Sequence, residues 1–151
     1  MELYLVQHGL SKSKDVDPER SLTEIGERLI GEIAELAKKY KVSPKQIHHS
    51  TKKRAKQTAH ILAEKLQSQV TIEELNGLAP MDDVEKYWLS VEAPDGLMVV
   101  GHLPFMDKLA ALLVSGDCEK SVIKFTNGAI NKLVSEDGKK WSVEAILPPI
   151  C

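Results

Sequence analysis

The chain has 151 residues, 42% hydrophobic and 28% charged, the balance of an ordinary globular domain and not of a disordered, collagenous or coiled-coil chain. One core spanning residues 1–151 as a single domain buries roughly two thirds of the surface exposed on unfolding, so no metal or disulfide staple is needed. Lys and Arg number 20 against 22 Asp and Glu; the net charge of −2 offers no global attraction to nucleic acid or acidic membranes, and any anion site must be local.

Leu3 to Val6 is a short apolar run, too brief for a signal peptide or membrane span, and it predicts a buried central strand that stops at Gln7-His8-Gly9. Cytoplasmic residence is the default, and two cysteines without a CxxC pair, Cys118 and Cys151, fit a reduced compartment. Ser11 to Arg20 is a polar loop. Ser21-Leu22-Thr23-Glu24 has the form of a capping box opening a helix, in which Ile25, Leu29, Ile33, Leu36, Ala37 and Tyr40 recur at helical spacing.

Gln46 to His49 predicts a second strand, and Ala55, Ala59, Leu62, Ala63 and Leu66 trace a second helix. Val70 to Ile72 reads as a brief strand, and Pro80 with Asp82 or Asp83 opens a short helix reaching Leu89. Gly96 leads into Leu97 to Val100, the second central strand; Phe105, Leu109, Leu112 and Leu113 return to helical spacing. Val122 to Phe125, Ala129 to Val134 and Trp141 to Ile146 read as closing strands, with Asn127-Gly128 and Asp137-Gly138 as tight hairpin turns and Pro148-Pro149 as the stop. The order predicts an α/β fold: a single three-layer domain with a mixed, mostly parallel central sheet and helices on both faces.

Gln7-His8-Gly9 and Gly101-His102 each follow an apolar strand, which puts two imidazoles at strand C-termini, the edge where open α/β sheets build their sites. Flanking Gly9 and Gly101 would let a ligand approach the backbone. Between them, Ser50 to Ala59 turns a strand into a basic helix N-terminus, where free N–H groups, the helix dipole and the fork of Arg54 favour phosphate. Lys52, Lys53 and Lys56 are equally a solvated basic face. His48, His49 and His60 lack metal-cluster spacing, and Tyr4, Trp88 and Trp141 read as packing residues, not a stacking platform.

Four features in order resemble the histidine phosphatase superfamily, specifically the small SixA-type phosphohistidine phosphatases: Gln7-His8-Gly9, Leu22-Thr23-x-x-Gly26, Arg54-Ala55-x-Gln57-Thr58-Ala59 and Val100-Gly101-His102-x-Pro104. The resemblance implies a phosphoglycerate-mutase-like fold without a lid insertion, and catalysis without metal or other cofactor. It implies His8 as the nucleophile that takes the phosphoryl group, Arg54 as the clamp on its oxygens, and His102 as a second group that bonds and neutralises it. Gln7, Gly9 and Gly101 join the expected phosphate-binding set; Ser11 and Ser50, which flank the motifs, are candidate hydroxyl donors to a phosphate oxygen and equally turn or cap residues. The substrate it implies is a phosphohistidine-bearing signalling or carrier protein.

Gln7 stands where the family usually has arginine. An arginine acting on a transferring phosphoryl group contributes roughly 10³ to 10⁵ in rate in other systems, which bounds the loss; Lys12, Lys14 or Lys53 could replace part of the charge. Glu74, Asp82 and Asp83 are candidate proton donors, although Asp82 and Asp83 also fit as caps of the next helix. Only 48 positions separate Arg54 from His102, which leaves no room for a lid and predicts an open groove. The rival readings are a phosphoprotein-binding module weakened by Gln7 and a small-metabolite phosphatase. No Walker loop, dinucleotide fingerprint or zinc-protease helix is present.

Overall fold

The computed structural model describes residues 1–66 and 69–148; Pro149 and Cys151, expected to follow the last strand, lie outside the described residues. Six strands form one sheet: β1 (Glu2–Gln7), β2 (Gln46–His49), β3 (Thr71–Glu74), β4 (Leu97–Gly101), β5 (Ile130–Val134) and β6 (Ser142–Leu147). Their order is β3-β2-β4-β1-β5-β6, with β3, β2, β4 and β1 mutually parallel and β5 and β6 added antiparallel. The mixed, mostly parallel sheet expected from the sequence is therefore present.

The pleat explains the layers. Along β1, Leu3 and Leu5 face one side and Tyr4 and Val6 the other, all fully buried, because successive strand residues point to opposite faces. The Tyr4–Val6 face is covered by α1 (Glu24–Lys39) and α2 (Lys53–Leu66) through Ile30, Ala34, Ala37, Ala55, Ala59 and Leu62. The Leu3–Leu5 face is covered by α3 (Val84–Leu89) and α4 (Phe105–Ser115) through Val84, Tyr87, Phe105, Leu109 and Leu113. Each Val, Leu, Ile or Phe among these contributes about 1.5–3 kcal/mol on burial.

Four local expectations change. The cap of α1 is Thr23, whose hydroxyl accepts from the Gly26 N–H at 2.9 Å, while Ser21 is occupied by hydrogen bonds to Asp17, so the capping box expected from Ser21 is two residues too early. The brief third strand runs Thr71–Glu74 and not Val70–Ile72. Val122 to Phe125 is no strand: Ile123 and Phe125 are buried in alternation, yet β1 and β5 are already paired on both sides and offer that segment no edge. Asn127-Gly128 is consequently a turn that docks β5 on β1, the Gly128 N–H donating to the Gln7 carbonyl at 2.8 Å. Asp137-Gly138 does lie between β5 and β6, in a wider loop organised by the Asp137 carboxylate accepting from the Lys139 and Lys140 amides.

Candidate active site

The parallel register carries the site. β1 and β4 align Gln7 with Gly101, and β2 aligns His49 with Val100, so the residues just beyond, His8, Ser50 and His102, emerge side by side at the C-terminal edge. The His8 N–H donates to the Gly101 carbonyl at 2.9 Å, locking the two strand ends together. The imidazoles of His8 and His102 lie 5.1 Å apart between ring centroids, tilted by 54°. Both are buried.

His8 is held in one tautomer. Its Nδ1 lies 2.7 Å from the Gly9 carbonyl, which can only accept, so the proton sits on Nδ1 and the Nε2 lone pair is free. Arg54, in the first turn of α2, directs its Nε–H to that Nε2 at 3.3 Å. Burial lowers the His8 pKa, the Gly9 bond opposes this, and the Arg54 and Arg20 charges lower it further; the neutral, attacking form is the resting one. Burial is thus the larger cause, with Arg54 secondary.

His102 shares a hydrogen bond of 2.6 Å between its Nε2 and Ser50 Oγ, and its buried Nδ1 has no partner among the described residues. Burial, then the charges of Arg54, His8, Lys52 and Arg20, push its pKa down to about 3. The ring is therefore neutral in the free protein, and only an incoming dianion supplies the countercharge that would let it protonate. Arg54 itself is pressed down from its ordinary pKa by burial and by Arg20. The charged side chains that shift the two rings, Arg54, Arg20 and, at His102, Lys52, are positive. A cluster so short of negative charge is complementary to phosphate.

Arg20 is the member that sequence reasoning left inside a polar loop. Asp17 folds that loop by accepting from the amides of Glu19 and Ser21, and a Ser11–Leu22 bridge closes it. Arg20, at φ 52°, is thereby turned inward, with its Nε–H on the Lys12 carbonyl at 3.4 Å. The only sequence trace of this arrangement is the Asp17-Pro18 turn signal. Thr58 and Asn127 were missed as supports. Thr58 Oγ1 accepts from the Gly9 N–H at 3.0 Å and donates to the Arg54 carbonyl at 2.8 Å, tying the loop after β1 to the start of α2. Asn127 Nδ2 donates to the His8 carbonyl at 3.0 Å.

Other expected residues are placed differently. Gly9 is small for packing, not for ligand approach: its amide is taken by Thr58, and an added Cβ would meet the Ile30 side chain at 3.0 Å. Gly101 is likewise buried, an added Cβ meeting Met106 Sδ at 3.0 Å. Ser11 sits in the bridge to Leu22. Gln7 closes β1 half-buried, its backbone carbonyl receiving Gly128. Asp83 caps α3 by accepting from the Glu85 and Lys86 amides, whereas Asp82, accepting from the Ala79 amide, lines the groove beside Arg54 together with Glu74. Lys53 is paired with Glu19 at 3.2 Å. His48 bonds the Tyr87 hydroxyl at 2.7 Å and His49 stacks near His60, and among the described residues no group of three metal-binding side chains forms.

That groove, of about 1030 Å³, lies between the Lys14–Arg20 loop, the start of α2 and the Ala79–Asp82 segment; neither imidazole lines it, and it meets the pair through Arg54, which lines the groove and bonds His8. No helix among the described residues is long and apolar enough to cross a membrane.

Residues 3–85 match the family model of the histidine phosphatase superfamily (branch 1). The solved structure of the protein histidine phosphatase SixA complexed with tungstate superposes with a TM-score of 0.83 at 25% identity, covering 97% of this chain and 96% of that one. A protein described as the phosphohistidine phosphatase SixA of Agrobacterium tumefaciens gives 0.77 at 22% identity over 98% and 97%. A mycobacterial glucosyl-3-phosphoglycerate phosphatase with bound VO3 shares the fold at 0.68 and 15% identity over 95% and 97%. No curated protein matches by sequence. The family match takes in more than half of the sequence and the whole fold agrees with it, so the chain belongs to the histidine phosphatase superfamily, with the architecture of its SixA-type members.

Proposed function

We propose that the chain is a phosphohistidine phosphatase that works through a covalent intermediate on His8 and needs no metal. The observation that carries the reading is the unprotonated Nε2 of His8, fixed by the Nδ1–Gly9 bond, accepting from the Arg54 guanidinium at 3.3 Å and facing the His102 ring. A dianionic phosphoryl group entering between these residues draws the Arg54 N–H away from Nε2 onto its own oxygens and so releases the lone pair. Nε2 then forms a bond to phosphorus as the bond to the substrate nitrogen breaks, and the leaving imidazole keeps the proton it already carries. Water next attacks phosphorus, the P–Nε2 bond breaks, and phosphate leaves with His8 again neutral. Transfer of this kind needs positioning and positive charge more than covalent help.

The charge absent at Gln7 is supplied in this account by Arg20, which acts electrostatically on both imidazoles and on Arg54. That favours a working enzyme over a weakened binding module. The open groove favours a protein-borne phosphohistidine, and the tungstate held by the SixA relative is a tetrahedral oxyanion like the phosphate placed here. The test is phosphate release from a phosphohistidine protein with chelator present: wild type retains turnover and His8→Ala loses it. Equal turnover by His8→Ala, with contaminating phosphatase excluded, overturns the mechanism.

A further inference from the structure

The groove that meets the imidazole pair through Arg54 carries far more positive charge than one phosphate requires. Its lining holds six Lys and Arg side chains against three carboxylates, although the chain as a whole is at −2. Arg20 and Arg54 belong to the phosphoryl site, and Lys53 is neutralised by Glu19. Lys14, Lys52 and Lys56 remain, all exposed, and among the described residues none forms an ion pair. They come from two separate segments, the loop after β1 and the start of α2, and face the same trough.

We propose that this groove docks an acidic segment of the phosphoprotein, carboxylates beside the phosphohistidine lying against Lys14, Lys52 and Lys56; the inference rests on the phosphohistidine reading above. The α2 wall from Lys53 to His60 runs roughly 10 Å at 1.5 Å per residue, enough for about three extended residues. Met81, 80% exposed on the opposite lip, adds an apolar contact that a peptide can use. No Phe, Tyr or Trp among the described residues lines the groove, and its one ring, His60, lies against His49, so the pattern fits a polypeptide and not a single-stranded nucleic acid. Exposed cations of this kind act mainly by steering and by selecting among partners, and salt screens them.

The test uses two short synthetic phosphohistidine peptides, one with glutamates on both sides of the phosphorylated residue and one with glutamines, assayed with wild type and with the Lys14→Glu/Lys56→Glu variant. Wild type should prefer the glutamate peptide by about tenfold in kcat/KM at low ionic strength, with the preference shrinking as salt is raised. The variant should lose the preference while its turnover of the glutamine peptide stays within about twofold of wild type. Equal turnover of both peptides by wild type, or a preference that survives charge reversal, overturns the docking role. Fluorescence anisotropy with the unphosphorylated glutamate peptide separates the two readings. Where neither phosphopeptide is hydrolysed the phosphatase reading fails, yet binding that the variant abolishes supports the groove and absent binding refutes it.

Discussion

Arg20→Ala isolates the residue on which an active site without the usual arginine depends. Among the described residues the Arg20 side chain makes one long hydrogen bond, 3.4 Å to the Lys12 carbonyl, so truncation removes little folding energy and leaves the loop to Asp17, the Arg20 backbone bond to it and the Ser11–Leu22 bridge. Its field reaches His8, His102 and Arg54. Loss of a charge-assisted contact to the transferring phosphoryl costs about 1.5–3 kcal/mol, or roughly 10- to 150-fold in kcat/KM. The acid limb of the pH profile moves as well. His8 is held below its ordinary value partly by Arg20, protonated His8 cannot attack, and removing that charge lets the limb rise toward neutral pH. Steady-state kinetics on phosphohistidine from pH 5 to 8 measures both effects. Gln7→Arg should restore most of the loss in the Arg20→Ala background and gain less than about tenfold alone. An Arg20→Ala enzyme within twofold of wild type, with an unmoved acid limb, would refute the assignment of the missing charge.

Other outcomes follow from the same geometry. Thr58→Val keeps the volume but strands the Gly9 N–H, and should lower stability by about 1–3 kcal/mol in urea titration, with kcat falling more than KM rises. Gly128→Ala meets Ile30 Cδ1 at 2.5 Å from a backbone at φ 79°, and should lower stability by about 1–3 kcal/mol in the same assay. His8, His48 and His102 all have lowered folded pKa values, so the unfolded chain binds more protons below pH 6.5 and stability falls as pH drops toward those folded values. For His102, lowered to about 3, the loss reaches about 2 kcal/mol between pH 6.5 and 5. Urea midpoints should therefore fall over that window, and less so in excess phosphate, which stabilises protonated His102; midpoints independent of pH would contradict the buried neutral imidazoles.

The central pair was legible in the sequence because it depends on two short apolar runs, Leu3–Val6 and Leu97–Val100, that can only be buried strands, and on what stands at their ends. Arg54 was legible because a basic helix start follows a third strand. Arg20 was not, since its place is set by side-chain-to-backbone bonds from Asp17 and a bridge across the loop, and neither has a period. Ile123 and Phe125 show the converse: alternation reports burial, but a strand also requires a free neighbouring edge. Gly9 and Gly101 were expected to open the backbone to a ligand, but Ile30 and Met106 pack against them, because a glycine in sequence does not say whether a ligand or a neighbouring side chain fills the space.

The most direct measurement is to trap the phosphorylated protein. Brief mixing with a phosphohistidine substrate, quenching in alkali where phosphoramidates survive, and peptide mass spectrometry should place the phosphoryl group on His8, with the adduct absent from His8→Ala and destroyed by acid. Phosphate on any other residue, or rapid turnover with no adduct at any quench time, would contradict the account.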